Sequence, residues 1–407
     1  MYNLTDRNIV LGVTGSIAAY KAVDLASKLT QAGVHLNVIM TPEATEFVAP
    51  ITFQGVTGRR PYWDMWNAGT DLAEPHIALG RQAELFVVAP ATATSIARLA
   101  LGLAEEMVSL TALATHAPLI VCPAMDSQMF EHPATQQHLT TLRNRGAEIV
   151  GPEEGRLASG QTGRGRLSEV ETIIGWIRYI LGQGGDLAGK KVVVTAGGTH
   201  EPIDPVRFVG NSSSGKMGFA LAEAARDRGA NVVLVSGPSA LPDPVAVEIV
   251  RVRRAAEMRD AVIASCEDAH VLVMAAAVAD YQPAETVRDK IKRQQTESLT
   301  IPLVPTPDIL AEVGARPGLV KVGFAAESQD LLENARQKIA GKRLDLIVAN
   351  DITASDAGFA TDNNRVVILD PAGGTEELPL LPKYNVAWHI LNRVATLLAA
   401  RKSQPEA

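Results

Sequence analysis

The stretch NIVLGVTGSIAAYKAVDLASKLTQAGVHLNVIM, Asn8–Met40, decides the fold of this 407-residue chain. It opens with an apolar, β-branched run and ends with another, and between them lie a small-residue turn and a helical pattern. One helix face carries Ala18, Ala22, Leu25 and Leu29. Two apolar strands joined by a helix are typical of a βαβ unit with parallel strands. The pattern predicts a doubly wound α/β domain.

The same plan recurs later, in KKVVVTAGGT (190–199) followed by SSGKMGFALAEAARDRGANVVLVSG (213–237). Its helix face carries Met217, Ala220, Leu221 and Ala224. Between the two units lies the glycine-rich segment GQGGDLAG, 182–189, which is typical of a linker. The sequence therefore predicts one domain over 1–182, a linker over 183–189 and a second domain over 190–402.

Further strands are predicted from apolar runs. In the first domain they span 35–40, 84–89, 118–122 and 147–150. In the second they span 191–195, 232–236, 271–275, 319–324 and 345–348, with a terminal hairpin over 365–380. Small, hydroxyl-rich loops follow the first-domain strands, and parallel sheets bind ligands at the carboxyl edge where such loops meet. We expect an extended planar or phosphorylated ligand there.

Composition excludes several classes of protein. The net charge is −7 and no basic stripe stands out, which argues against a nucleic-acid binder. The two cysteines, Cys122 and Cys266, form no CxxC pair, so neither a disulfide framework nor a zinc site is supported. The longest apolar run, Val271 to Ala279, is too short to cross a bilayer, for which about 20 residues are needed. We expect a cytoplasmic protein without membrane contact.

Two first-domain loops allow two interpretations each. Gly15 and Ser16, in TGSIAAYK, suit a phosphate at a helix N-terminus, or simply a capped helix start. The loop APATATS, 89–95, lets a flat ligand approach, although for this loop taken alone a helix cap is the favoured interpretation. His76 follows Pro75 at a predicted helix start, where a neutral imidazole can act as a base. Spacing alone does not select it from the eight histidines.

The second domain has the stronger local signal, TAGGTHEPIDPVRFVGNSSSGKMG, 195–218. Its paired glycines and Ser/Gly helix start favour a polyphosphate site over a capped omega-like loop. Asp280 follows a predicted buried strand and suits a ribose hydroxyl or a metal ion. Lys338 and Lys342 are four residues apart on one helix face and suit one anion, although a solvated surface is the ordinary place for lysines.

With these motifs in order, the chain resembles over nearly its whole length a bacterial enzyme family of coenzyme A biosynthesis, phosphopantothenoylcysteine decarboxylase fused to phosphopantothenate–cysteine ligase. The motifs that carry the resemblance are GSIAAYK, the His76 segment, APATA, CPAMDSQM, GRGRL, TAGGTHEPIDPVRFVGNSSSGKMG, AAAVADY, DKIKRQ, VGFAAES and LDLIVAND. It implies a flavodoxin-like, parallel-sheet flavoprotein domain followed by a Rossmann-like α/β ligase domain.

For the first domain, the resemblance implies an FMN-dependent decarboxylase. His76 matches the catalytic histidine. The expected FMN contacts are Gly15, Ser16, Thr41, Pro90, Ala91, Thr92 and Ala93. The expected substrate contacts are Ala124, Met125, Asp126 and Met129.

For the second domain, the resemblance implies a ligase that uses CTP with Mg²⁺ to join 4′-phosphopantothenate and cysteine through an acyl cytidylate. Asn211 would hold the acyl group, Lys290 would act in catalysis, and Asp280 is the candidate metal ligand. The remaining expected contacts are Gly197, Met274, Ala275, Ala276, Pro307, Asp308, Ile309, Leu310, Phe324, Lys338 and Lys342. Family members assemble as decarboxylase trimers and ligase dimers into a dodecamer, so a homo-oligomer is expected.

Two positions depart from the family pattern. Asp126 stands where the family has asparagine, and an ionised aspartate accepts hydrogen bonds but would repel a substrate carboxylate. Ser159 stands where many members have the cysteine that donates a proton, and a hydroxyl is a much weaker acid. We therefore expect another proton donor here, or a slow decarboxylation.

Two alternatives to the bifunctional enzyme stay open. One is a flavin domain that decarboxylates other cysteinyl substrates, against which the ligase-like domain argues. The other is an active ligase whose flavin domain is eroded at Asp126 and Ser159 to a structural or regulatory role.

Overall fold

The computed structural model describes residues 3–66, 74–292, 299–314, 316–327, 331–351 and 361–402. It divides into two compact units, Met1–Leu181 and Gly182–Ala407. No helix of the described part is both long and apolar enough to cross a membrane.

Unit one is built on a five-stranded parallel sheet in the order β2-β1-β3-β4-β5. Its strands are β1 (Asn8–Val13), β2 (His35–Met40), β3 (Leu85–Ala91), β4 (Leu119–Pro123) and β5 (Glu148–Ile149), and an antiparallel hairpin follows, β6 (Glu153–Arg156) and β7 (Thr162–Arg166). All seven residues of β3 are buried, as expected for a central strand covered by helices on both faces.

The helices of unit one cover both faces of that sheet. They are α1 (Ala19–Gln31), α2 (Pro50–Thr57), α3 (Pro75–Gln82), α4 (Ala93–Leu101), α5 (Met107–Leu113), α6 (Ser127–Glu131), α7 (Pro133–Asn144) and α8 (Val170–Gly182), with a 3₁₀ helix at Pro42–Glu46. Alternation along β1 sets the two cores: Ile9 and Leu11 pack with α1 and α8, and Val10 packs with α4 and α7.

Unit two contains an eight-stranded sheet in the order β12-β11-β8-β13-β16-β17-β18-β19. The strands are parallel from β12 to β17 and antiparallel at the end that β18 and β19 form. Their bounds are β8 (Lys191–Ala196), β11 (Asn231–Ser236), β12 (Glu248–Arg251), β13 (Val271–Met274), β16 (Val320–Glu327), β17 (Leu346–Asp351), β18 (Asn363–Leu369) and β19 (Thr375–Pro382). Two small antiparallel pairs join β9 (Glu201–Pro202) to β10 (Phe208–Val209), and β14 (Tyr281–Pro283) to β15 (Leu303–Pro305).

Helices also cover both faces of this second sheet. They are α9 (Lys216–Arg226), α10 (Ala255–Ser265), α11 (Ile309–Val313), α12 (Leu331–Lys342) and α13 (Lys383–Lys402). Helices α9 and α13 share one core, which contains Leu346 and Val348 of β17. Ile347 and Ala349 point to the opposite face, where α12 packs. This alternation decides which side chains can meet at the edge of the sheet.

The glycine-rich segment before β8 packs on unit two. Leu187 is fully buried, and its amide donates to the carbonyl oxygen of Arg228 at 3.0 Å. A side chain at Gly182 or Gly185 would lie against the carbonyl oxygens of Asp227 and Arg228, so the chain can pass this close only as glycine.

The two α/β sheets expected from the sequence are confirmed, and so are the strands expected in each. Sequence analysis did not predict the β6–β7 hairpin, the edge strand β12 or the two small strand pairs. These elements are short and carry little apolar periodicity, which is the signal that the prediction used.

Candidate active sites

Thr14 joins two loops at the carboxyl edge of the first sheet. Its side chain is fully buried just after β1. The hydroxyl donates to the carbonyl oxygen of Pro90 at 2.7 Å and accepts from the amide of Thr92 at 3.0 Å. The loop after β3 is thereby fixed beside the loop that contains Gly15 and Ser16.

The hydroxyl groups of this edge also order the local backbone. Ser16 Oγ accepts from the amide of Ala18 at 3.2 Å, and Thr92 Oγ1 accepts from the amide of Ser95 at 3.3 Å at the start of α4. Thr41 Oγ1 accepts from the amide of Ala44 at 3.3 Å. The N-cap of α1 has no side-chain hydrogen bond of its own, so the amides of its first turn are not capped by a side chain.

The loop after β4 is held against the β6–β7 hairpin. The amide of Met125 donates to the carbonyl oxygen of Gly165 at 3.0 Å, and a side chain at position 165 would collide with the carbonyl oxygen of Met125. Ala124 donates its amide to Ala91 at 3.0 Å, which links this loop to the end of β3. The predicted substrate loop therefore lies beside the predicted flavin loop.

The two departures from the family pattern meet in space. Ser159 lies in the turn of the β6–β7 hairpin, and its hydroxyl donates to Asp126 Oδ2 at 2.7 Å. The other carboxylate oxygen of Asp126 accepts from the amide of Gln128 at 3.1 Å and caps α6. The carboxylate of Asp126 is thus held by two hydrogen bonds, one from a backbone amide and one from the serine hydroxyl. It is the acceptor in both, because an ionised carboxylate has no proton to donate.

His76 lies in the first turn of α3, as predicted, and is partly buried.

Neither of the two cysteines, Cys122 and Cys266, is exposed. Burial raises the pKa of the Cys122 thiol, in β4, and raises the pKa of the Cys266 thiol to about 11. A buried thiol with a raised pKa is a poor acid–base group at neutral pH.

A cavity of about 660 Å³ opens at the carboxyl edge of the second sheet. It brings together twelve of the residues expected at the ligase site, namely Asn211, Met274, Ala275, Ala276, Asp280, Pro307, Asp308, Ile309, Leu310, Phe324, Lys338 and Lys342. Positions far apart in the sequence meet here because parallel strands end at one edge.

Charged groups line this cavity. Lys342 Nζ lies 3.2 Å from a carboxylate oxygen of Asp308, which also caps α11 by accepting from the amide of Ala311 at 3.2 Å. Lys338 is one turn away on α12. Asp280 is an exposed carboxylate on the wall of the cavity. Among the described residues no group of three or more metal-ligating side chains occurs.

The structure places two expected residues away from the lining of the cavity. Gly197 accepts a backbone hydrogen bond from Ala277 at 2.8 Å and supports the wall from behind. Lys290 is exposed on the segment whose next residue, Ile291, donates its amide to the buried carboxylate of Asp204 at 3.1 Å. The amides of Val206 and Arg207 also donate to Asp204, at 2.8 Å each.

Sequence analysis missed several polar residues of the cavity, namely Lys216, Asn350, Asn364 and Lys383. Asn350 offered a usable signal, because it continues the alternation of Leu346 and Val348 on one face of β17 but is polar.

Two of these residues, Lys216 and Lys383, influence each other electrostatically. Burial, together with the charge of Lys216, lowers the pKa of Lys383 to about 8, while the charge of Asp362 opposes the shift.

Both units of the chain are similar to known proteins. The family model described as Flavoprotein matches residues 1–182, and the model described as DNA/pantothenate metabolism flavoprotein C-terminal domain matches residues 187–398. The coenzyme A biosynthesis bifunctional protein CoaBC of Bacillus subtilis is 44% identical over 398 residues, 97% of this chain and 98% of that protein. The Escherichia coli protein of the same name is 44% identical over 400 residues, with 97% and 98% covered. A crystal structure of the C-terminal domain of CoaBC is 40% identical, covers 53% of this chain and 99% of its own, and superposes with a TM-score of 0.46.

Proposed function

This chain belongs to the family of coenzyme A biosynthesis bifunctional proteins, and we propose that its two units catalyse consecutive reactions on one phosphorylated substrate. It is a bifunctional enzyme with decarboxylase and ligase activities. Unit two would first join cysteine to 4′-phosphopantothenate, and unit one would then decarboxylate the product to 4′-phosphopantetheine. The observation that carries the proposal is the 660 Å³ cavity at the edge where twelve expected residues meet.

In the ligase unit, CTP would lie along Pro307–Leu310 with its phosphates near Lys338 and Lys342. The carboxylate of 4′-phosphopantothenate attacks the α-phosphorus of CTP, and pyrophosphate leaves. The amine of cysteine then attacks the acyl carbon, an amide bond forms, and CMP leaves. The two lysines offset the triphosphate charge as mobile point charges. Asn211 would orient the acyl carbonyl without adding charge.

The donor set fits a magnesium ion that arrives with the nucleotide. Mg²⁺ commonly uses one or two carboxylates together with phosphate oxygens and water. Asp280 supplies an exposed carboxylate on the cavity wall, whereas Asp308 is already paired with Lys342. We therefore assign Asp280 as the residue that would hold Mg²⁺. The ion would neutralise charge on the leaving pyrophosphate.

The decarboxylase unit would bind FMN, and the residues present fit that group. The N-terminus of α1, whose N-cap residue Ala18 offers no side-chain cap, suits a phosphate together with Gly15 and Ser16. Thr41 and the loop Pro90–Ala93 offer small side chains beside a flat ring. When bound, FMN would supply an oxidation and the later return of the same electrons, so that loss of carbon dioxide leaves no net redox change.

The residues of unit one would divide the remaining work. His76 would accept a proton from the substrate. Ala124, Met125 and Met129, in the loop after β4, would contact the substrate. Asp126 would hold the hydroxyl of Ser159 in place. Because that hydroxyl already donates to a carboxylate, Ser159 is not a direct replacement for an acidic thiol.

We also propose that the protein is a cytoplasmic homo-oligomer. Light scattering of the purified protein tests its oligomeric state.

One experiment tests both activities. The purified chain is incubated with 4′-phosphopantothenate, cysteine, CTP and Mg²⁺, and the products are followed by mass spectrometry, while visible absorbance reports bound flavin. We expect phosphopantothenoylcysteine first and its decarboxylated product later. Lys338→Met should abolish the first product. Lys191→Met, which removes an ion-paired lysine from the opposite edge of the same sheet, should not. Absence of the first product with wild-type protein would contradict the proposal.

A further inference from the structure

The cavity of unit two reaches both faces of its sheet. Helices α11 and α12, which carry the residues proposed for CTP, lie on the face to which Ile347 and Ala349 point. Leu346 and Val348 point to the other face, which α9 and α13 cover, and alternation along β17 puts Asn350 on that same face. Lys216 and Lys383 are the first residues of those two helices. We call Lys216, Asn350 and Lys383 the amide–lysine cluster, and all three line the cavity.

Asn350 presents an unused acceptor to this cavity. Its residue surface is 8% exposed, and its Oδ1 has no hydrogen-bond partner within the part of the chain that the structure describes. Buried polar atoms are nearly always paired, so an exception at a cavity wall needs a donor from water or from a ligand. The required group is an N–H or O–H, because a carboxamide oxygen only accepts.

The other two members of the cluster are cations. Lys216 Nζ pairs with Asp362 Oδ1 at 2.6 Å, and the backbone amide of Lys383 donates to the carbonyl oxygen of Asp362 at 3.0 Å. Lys383 is 5% exposed and close enough to Lys216 for the charge of one to lower the pKa of the other. Lys383 Nζ also donates to the carbonyl oxygen of Thr361. Two neighbouring lysines at the first residues of two helices attract a negatively charged group of a ligand.

We propose that the amide–lysine cluster binds the amino-acid substrate of the ligase, with the α-ammonium on Asn350 Oδ1 and the α-carboxylate on Lys216 and Lys383. The inference rests on the proposed ligase function. A zwitterionic amino acid carries a strong donor and an anion on one carbon, which matches an acceptor beside two cations. The nucleotide residues of α11 and α12 lie on the other face of the sheet, while Ala275 and Phe324 pack on the face of the cluster. The nucleotide and the amino acid would therefore meet at the end of the strands.

The position of Asn211 supports this arrangement. Asn211 lines the cavity on the loop that leads into α9, and its amide nitrogen donates to the carbonyl oxygen of Val278 at 2.9 Å. This loop joins the cluster side of the cavity to the strand end at Val278. After the ammonium loses a proton to water, an amine held by Asn350 would therefore approach an acyl group at Asn211 from the side opposite α11 and α12.

The first test removes the acceptor while nearly preserving its volume. In Asn350→Leu the KM for cysteine should rise at least tenfold. Hydroxylamine, which traps the activated acyl group and needs no amino-acid subsite, should give hydroxamate at the wild-type rate. Asn363→Leu, an exposed change at the start of β18, is the matched control and should match wild type in both assays.

The second test uses the carboxylate. Cysteamine is cysteine without that group, so Lys216→Met should lower kcat/KM for cysteine and leave kcat/KM for cysteamine almost unchanged. Equal losses for the two amines would overturn the proposal. So would an unchanged KM for cysteine in Asn350→Leu, or a rise in the KM for CTP alone. No hydroxamate from wild-type protein would instead contradict the ligase function itself, and the two failures are therefore distinguishable.

Discussion

Replacing Thr14 by valine should weaken unit one and its flavin site together. Valine keeps the shape of threonine but lacks the hydroxyl that joins the loops after β1 and β3. The substitution therefore removes two hydrogen bonds and fills the same space with a methyl group. The carbonyl oxygen of Pro90 and the amide of Thr92 lose their partner at a position that is closed to solvent.

The expected loss follows from these two contacts. A hydrogen bond contributes about 1 kcal/mol net, and a buried group left unpaired costs about 1–3 kcal/mol. With two groups left unpaired, the free energy of unfolding of unit one should therefore fall by about 2–6 kcal/mol. If about 1.4 kcal/mol of that loss falls on the ordered loop conformation, the Kd for FMN rises about tenfold.

Chemical denaturation of the apoprotein and fluorescence titration with FMN measure the two effects. Thr115→Val is the matched control. Thr115 Oγ1 donates to the carbonyl oxygen of Gly80 at 2.7 Å and accepts from the amide of Ala117 at 3.0 Å, but it is half-buried and lies before β4, at the other edge of the sheet. It should lose less stability and keep its affinity for FMN. Equal losses of affinity in both variants would refute the assignment of the Thr14 loops to flavin binding.

Three further predictions concern other groups. Asp126→Asn combined with Ser159→Cys should raise kcat/KM of decarboxylation by about tenfold or more, since it restores an amide donor and a more acidic group; an unchanged value would refute a special role for this pair. Burial alone would raise the pKa of the Asp204 carboxyl, but three backbone amides and a nearby arginine lower it below its usual value. Its stabilisation of unit two should therefore be complete above about pH 4 and be lost as the pH falls through the lowered value, a dependence that thermal unfolding of Asp204→Asn should lack. Cys122 and Cys266 should resist iodoacetamide in the native protein and react after unfolding, because burial raises the pKa of both thiols; rapid labelling of either native thiol would contradict this.

The sequence predicted both sheets because their strands are long apolar runs with helical spacing between them. It also predicted which loops share an edge, since parallel topology alone brings strand ends together. The short β6–β7 hairpin escaped, because glycines and arginines dominate its second strand and give no alternation of apolar residues. The position of Ser159 depends on that hairpin. The local sequence therefore could not predict the hydrogen bond between Ser159 and Asp126.

In the candidate site of unit two, some residues could be brought together from the sequence and others could not. Lys338 and Lys342 could be paired from their spacing on one helix, and both line the cavity. The meeting of Lys216 with Lys383 could not be foreseen, because it depends on how α9 and α13 pack side by side. Lys290 is exposed and does not line the cavity, and its role in catalysis stays a prediction.

The packing of the glycine-rich segment on unit two has a practical consequence for cutting the chain. Arg228 is buried and holds Asp186 with 2.9 Å between Nε and Oδ1, while its guanidinium lies over the ring of Trp388. A ligase fragment that begins at Lys190 would strip away Asp186 and Leu187, and would open the end of α9 to water. A fragment that begins at Gly182 keeps the contacts of Asp186 and Leu187 with Arg228. Proteases that cut interdomain loops should therefore spare residues 183–189, and the shorter fragment should be the one that precipitates on expression.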